Sequence, residues 1–224
     1  MATKTKAGVR AGTGKGGRRA PVKVKKRADV PLLPIVVGAI LLLFTAGILI
    51  YFVANNKATG PQIAGGVPCD SLEHTQVHYH AALQITYLGN QVHLPANLGI
   101  VTDSAGNVSC YYWLHVHAAN QDTIHIESPA SQTFTLGQFF AIWNAWSKLG
   151  NGPSVSLDTK HVATFTLTSG ESLLVYIDHQ DGKGPQPYTG DPSSIVLQSH
   201  EVITIEITPP AVTPPPSFTF ASGL

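Results

Sequence analysis

Three hydrophobic patterns succeed one another along the chain. From Leu32 to Val53 the 22 residues LLPIVVGAILLLFTAGILIYFV are almost wholly apolar, and no charged side chain lies between Asp29 and Lys57. At about 1.5 Å per helical residue this run reaches roughly 33 Å, enough to cross the hydrocarbon of a bilayer. It predicts a transmembrane helix over residues 31–54. A cleaved signal peptide also starts basic, but its apolar region is about 7–15 residues long and ends at small residues. The present run is longer and leaves through Tyr51 and Phe52, as a retained anchor does.

Past Pro68 the pattern becomes that of strands. VHYHAALQITYL (77–88), then Gly89-Asn90 and QVHLP, predicts a β-hairpin. VSCYYWLHVHAA (108–119) and TIHIES (123–128) predict two more strands, with DSAGN (103–107) as the turn before them. HVATFTLTSG, ESLLVYIDH and VITIEITP add three, and a short SSIVLQ strand is expected after the turn DHQDGKG. TLGQFFAIWNAWSKLG (135–150) has helical spacing instead: Phe139, Ile142, Trp143 and Trp146 recur every three or four residues, and Gly150 can stop the helix. The expected fold is mostly β: one N-terminal transmembrane helix, then an antiparallel β-sandwich or barrel with one packed or capping helix.

Charge sharpens this division. Of 14 Lys and Arg, ten lie in the first 27 positions, so residues 1–30 carry ten positive charges against one acid, Asp29. Residues 58–224 carry three Lys against twelve Asp and Glu. The charge division argues against a uniform soluble globule. Residues 1–30, rich in Gly, Ala, Lys and Arg without apolar periodicity, read as a disordered basic cytoplasmic arm. Lys and Arg beside a span stay in the cytoplasm. The expected location is therefore the cell membrane, single-pass, N-terminus cytoplasmic, with the main domain, 67–208, periplasmic or extracellular. For the arm, anionic lipid headgroups are a simpler partner than nucleic acid.

Residues 55–66, polar and punctuated by Gly60, Pro61, Gly65 and Gly66, form a tether. Cys69 and Cys110 fall on the oxidising side, where a disulfide is favoured over a copper or zinc thiolate site. The tail, 209–224, holds Pro209, Pro210 and Pro214 to Pro216, which favours an extended polyproline conformation. It can dock on the domain, on a partner or nowhere.

All ten histidines lie outside the membrane, and His74, His78, His80, His115, His117 and His125 crowd into 52 positions. Side chains in a strand repeat direction every second residue. His78 therefore shares a face with His80, His115 with His117, and His125 with Glu127. In each strand that face is the more polar one, opposite Ala81, Leu83 and Ile85, Leu114 and Val116, or Ile124 and Ile126. Imidazole and carboxylate from three strands suit a divalent ion of copper, zinc or iron. A metal-free polar network or unrelated surface placement is the alternative use of these residues. His93, His161, His179 and His200 are scattered and read as ordinary surface histidines.

His115, His117 and Glu127 resemble a cupin metal motif weakly, because Glu127 lies ten residues after His117, beyond the usual cupin interval. HYHAALQI, YWLHVHAANQDTIHIESP and FTLGQFFAIW are similar to segments of an uncharacterised group of single-span, membrane-anchored bacterial or archaeal proteins with a His-rich extracytoplasmic β-domain. That resemblance covers about residues 67–208 and implies topology, not activity. No GxSxG elbow, Walker loop or CxxCH is present. The expectation is a membrane-anchored extracytoplasmic metal-binding accessory subunit of a membrane protein complex. Gly38, Ala39, Ala46 and Gly47 would permit close packing with the helices of other integral subunits. A metal-dependent enzyme with Glu73 or Glu127 as proton acceptor, or an interaction domain without metal, are the alternatives.

Overall fold

The computed structural model describes residues 31–55 and 62–224, so the expected basic arm and residues 56–61 of the tether lie outside the described residues. The chain divides into two units, one ending at Ala58 and one beginning at Thr59.

The first unit is helix α1, Leu32–Asn55. Its 19-residue window Leu33–Tyr51 is long and apolar enough to cross a bilayer, and none of it is buried against protein. The helix has no polar stripe that would mark a surface helix of a globular domain. Thr45, its one hydroxyl before Tyr51, donates to the carbonyl oxygens of Leu41 and Leu42, both at 3.0 Å, so it needs no water.

The second unit is mostly strand. In chain order it contains β1 (Ile63–Ala64), β2 (Val67–Asp70), β3 (Val77–Tyr87), β4 (Asn90–Val92), β5 (Ile100–Thr102), β6 (Val108–Tyr112), β7 (Leu114–His115) and β8 (Thr123–Ser128). These are followed by α2 (Leu136–Leu149), β9 (Ser156–Leu157), β10 (His161–Ala163), β11 (Phe165–Thr166), β12 (Ser172–Asp178), β13 (Gln186–Pro187) and β14 (Val202–Thr208). The main sheet has the order β13-β12-β14-β3-β8-β7, with β4 also on β3; β1-β2-β6-β5 and β11-β10-β9 form two smaller sheets.

β3 is the axis of the main sheet. Its first half pairs with β8, from Val77↔Ser128 to Ala82↔Thr123, and its second half pairs with β14, from Ala82↔Val202 to Tyr87↔Ile207. The fold is mostly antiparallel, as expected, but β14 runs parallel to β3. A parallel pair needs a long crossover, and here most of the domain separates the two strands.

One face of this sheet is the apolar core. Leu83, Ile85, Ile124, Ile126, Ile203, Ile205 and Ile207 are all 0 % exposed and share a single cluster with Leu136, Phe139, Phe140, Ile142 and Trp143 of α2. The helix starts where its spacing predicts. Thr135 and Gln138 form a capping box, in which the Thr135 hydroxyl accepts from the Gln138 N–H at 3.3 Å and the Gln138 side chain accepts from the Thr135 N–H at 3.0 Å. The turn between β1 and β2 presses on this helix. A Cβ on Gly65, whose φ is +59°, would meet Ala141 Cβ at 3.0 Å and the Gln138 backbone at 3.1 Å, so glycine fits both the conformation and the space. Ala64 is buried beside it, and the chain from Gln62 on thus belongs to the folded domain.

Three local readings are corrected. Residues 108–119 are not one strand: β6 joins a small sheet and β7 the main sheet, with the break at Trp113, whose indole N–H is drawn to Asp70 at 2.7 Å. SSIVLQ forms no strand. Pro192 starts a single 3-10 turn with Asp191 as its cap, and Val196 makes only an isolated bridge to Thr135. HVATFTLTSG folds on itself as β10 and β11, with Ala163 at φ 55°.

Cys69 and Cys110 are joined as a disulfide tying β2 to β6, with Cα atoms 5.4 Å apart, inside the range a bridge requires. The Pro-rich tail lies on the domain. The Val212 N–H donates to Glu206 at 3.0 Å, His200 Nε2 donates to the main-chain oxygen of Leu224 at 3.0 Å, and the Phe220 ring packs edge-on to His200.

Candidate metal centre

Strand register assembles the centre. His80 of β3 and His115 of β7 both lie opposite His125 of β8, so the three imidazoles form one row across three neighbouring strands. The adjacent row places His78 opposite Glu127. By period-two alternation this is the face away from Ala81, Ile124 and Ile126. His117 lies just past β7, where a 3-10 turn, Ala118–Asn120, begins, yet its Nε2 comes back to 3.1 Å from Nε2 of His115.

His125 is the centre of the group. The rings of His80 and His117 each stand perpendicular to it with centroids 4.5 Å away, while those of His115 and His78 lie nearly parallel at 5.5 and 6.0 Å. Nε2 of His78 and Nε2 of His80 are 3.0 Å apart. His125 itself is 5 % exposed, and neither of its nitrogens has a hydrogen-bond partner. The nearest carboxylate oxygen, Glu127 Oε1, stands 3.6 Å from its Nδ1. Orphaned buried nitrogens cost on the order of 1–3 kcal/mol.

The surroundings orient the other ligands. His115, fully buried, donates from Nδ1 to the Tyr112 carbonyl at 2.8 Å; a carbonyl only accepts, so Nδ1 carries the hydrogen and Nε2 keeps its lone pair. Gly99, at φ +81°, lets its loop close over this strand, since a Cβ there would meet the Leu114 carbonyl at 2.8 Å. Glu127 Oε1 is 3.3 Å from His78 Nε2, and Glu73 Oε1 is 3.1 Å from His117 Nε2 and 3.5 Å from His115 Nε2. The loop carrying Glu73 is pinned at one end by the disulfide. Asp70 also anchors it, accepting from Trp113 at 2.7 Å and from His74 at 2.6 Å.

Charge follows burial. Burial lowers His115 to about 4 and His80 to about 4, the latter aided by repulsion from His125 and His78, and burial also lowers His117. These three imidazoles are neutral at pH 7, the form that binds metal. Burial alone would raise the Glu127 carboxyl, but His125, His115 and His78 around it outweigh that and hold it below the usual carboxylate range. The result is a nitrogen-rich donor set with an ionised carboxylate, of the kind that could coordinate a divalent metal ion.

Potential ligand atoms of His115, His117, His125 and Glu127 lie within 4.8 Å of one another, and so do those of His78, His80 and His125. The six residues singled out from the sequence thus fall into two groups that share His125. His74, crowded with them in sequence, is turned to Asp70 instead. His93, His161 and His179 each face one carboxylate, of Asp122 at 2.6 Å, Asp158 at 2.9 Å and Glu201 at 2.9 Å. His200 adjoins the centre through its N–H, which donates to the His80 carbonyl at 2.6 Å. Glu73, read from the sequence only as a proton acceptor, stands among the donors; its one sequence signal is its place four residues after Cys69.

Comparison of the chain with protein-family models, curated proteins and solved structures finds no match. Neither the cupin likeness nor the group named from the sequence gains support from it. The chain is an N-terminal apolar helix followed by a β-rich domain with clustered His and Glu.

Proposed function

We propose that the protein is a membrane-anchored metal-binding protein. In this reading α1 holds it in the cell membrane with the N-terminus cytoplasmic. The β-domain then faces the periplasm or exterior, and His78, His80, His115, His117, His125 and Glu127 bind a divalent ion of copper, zinc or iron. The observation that carries the reading is His125: an imidazole with both nitrogens buried and without a hydrogen bond, ringed by four other imidazoles. A hydrogen-bonded polar network would satisfy both nitrogens; a bound ion takes the lone pair of the unprotonated one.

The role favoured is an accessory subunit of a membrane complex. The small residues Gly38, Ala39, Ala46 and Gly47 along α1 support it, because they would let a partner helix approach closely. The basic arm would touch anionic headgroups. A metal-dependent enzyme is the second reading, favoured by the open edge of the centre, where the side chains of His78 and Glu73 are 43 % and 38 % exposed and a substrate could reach the ion.

Metal analysis of untagged protein in mild detergent tests the reading, compared with alanine substitutions at His78, His80, His115, His117 and His125. Metal near or above one ion per chain, reduced in the variants, is expected. Substoichiometric metal indifferent to the substitutions contradicts it. Co-purification of other integral subunits supports the accessory role, and an isolated chain in a native-membrane extract counts against it.

A further inference from the structure

We propose that the centre holds two metal ions, bridged by His125 through its two ring nitrogens. The inference rests on the metal-binding reading and adds stoichiometry and connectivity to it.

The layout around His125 is doubled. On one side the His78 and His80 pair brings its Nε2 atoms to 3.0 Å, and on the other the His115 and His117 pair brings its own to 3.1 Å. Each pair offers His125 one nearly parallel ring, at 6.0 or 5.5 Å, and one perpendicular ring at 4.5 Å. The two groups of convergent donors have His125 as their single common member. Carboxylates stand at both halves: Glu127, which converges with His115 and His117, also lies 3.3 Å from His78, and Glu73 lies 3.1 Å from His117.

A single ion cannot use this donor set. A tetrahedral ion takes four ligands, so one ion on His115, His117, His125 and Glu127 leaves His78 and His80 facing each other. It also leaves the second nitrogen of His125 buried without a partner, as both are in the metal-free centre. The two nitrogens of an imidazole point in diverging directions, so one ion cannot engage both. Two ions do, one per histidine pair. Coordination at both nitrogens sends the ring hydrogen of His125 to solvent as a proton, and the bridging ring is then an imidazolate.

The test uses the full chain, untagged, in mild detergent, stripped with chelator and titrated with divalent copper, followed by gel filtration. Copper content and the low-temperature electron paramagnetic resonance signal are read together. Two coppers per chain are expected, with most of the signal lost through exchange coupling across the bridge. The double variants His78→Ala/His80→Ala and His115→Ala/His117→Ala are each expected to keep one copper with a full, uncoupled signal. One copper in the unaltered chain, unchanged by His78→Ala/His80→Ala, overturns the two-ion centre while leaving the metal-binding reading intact. Two coppers with full uncoupled intensity overturn the bridge, a result that needs no variant to fold. No retained copper overturns the metal-binding reading and this inference together.

Discussion

Along β3 and β8 the two faces of the sheet are almost equally dry and chemically opposite. On one, Ala81, Leu83, Ile124 and Ile126 are 0 % exposed; on the other, His80, His125 and Glu127 are 5–6 % exposed. Burial of the first face is itself stabilising, by about 25 cal/mol per Å² of apolar surface. Burial of the second desolvates imidazole nitrogens that find no hydrogen bond, which costs free energy unless something else satisfies them. The same strands thus carry a face that holds the fold together and a face that is completed by a ligand. Substitutions on the two sides should respond differently to metal.

The largest effect belongs to the apolar side. Leu83→Ala is expected to lower unfolding stability by about 2–5 kcal/mol, equally with metal and with chelator, as measured by urea denaturation. A loss below about 1 kcal/mol would mean that this face is not the core.

Acid should weaken the metal-free protein through the histidine side. His115 is held at about 4 in the folded chain against 6.5 when exposed, and His80 and His117 shift the same way. Between those pH values the unfolded chain binds protons that the folded chain refuses, so stability falls as pH drops from 6.5 towards 4. His115 alone contributes about 3 kcal/mol to that fall. Glu201 works in the opposite sense. Burial outweighs its contact with His179 and raises it to about 7, so the folded chain keeps its proton from 4.5 to 7 and loses that contribution as pH rises. Urea midpoints at pH 5 and pH 7.5 should therefore differ more in Glu201→Gln than in the unaltered chain. An unchanged difference contradicts the Glu201 assignment, and a variant no less stable at pH 5 than at pH 7.5 contradicts that of the histidines.

Metal should stabilise by about 2.7 kcal/mol at a free concentration one hundred times Kd, and chelator should abolish the gain. In His125→Leu the gain should vanish, while the metal-free variant keeps or slightly exceeds the stability of the unaltered chain, because the orphaned nitrogens are gone. A loss beyond about 2 kcal/mol in the metal-free variant would show that the His125 ring already has partners. The smallest effect is expected at His161→Ala, within about 0.5 kcal/mol and indifferent to metal, since that half-exposed ring pairs with Asp158 of its own turn.

Where an element is set by local pattern, the sequence was enough. TIHIES is β8 residue for residue, and Thr135, Gln138 and Gly150 bound the helix that the aromatic spacing predicts. Alternation also told which face His80, His125 and Glu127 occupy. It could not tell that this face is buried, because alternation reads as a half-solvated strand, whereas the cover comes from segments remote in sequence. His200 and the tail beyond Val212 illustrate this, as does the Glu73 loop positioned by the disulfide. The corner at Trp113 was invisible for a related reason: its aromatic and branched neighbours favour strand on both sides, and only the contact with Asp70 shows where the chain changes sheets.

The most direct test of the central claim is the X-ray absorption spectrum of the untagged, zinc- or copper-loaded full chain. A first shell dominated by nitrogen at about 2.0 Å, with the outer-shell scattering of at least three imidazoles, is expected. A first shell of oxygen alone, without imidazole scattering, would place the ion on surface carboxylates and contradict the histidine centre.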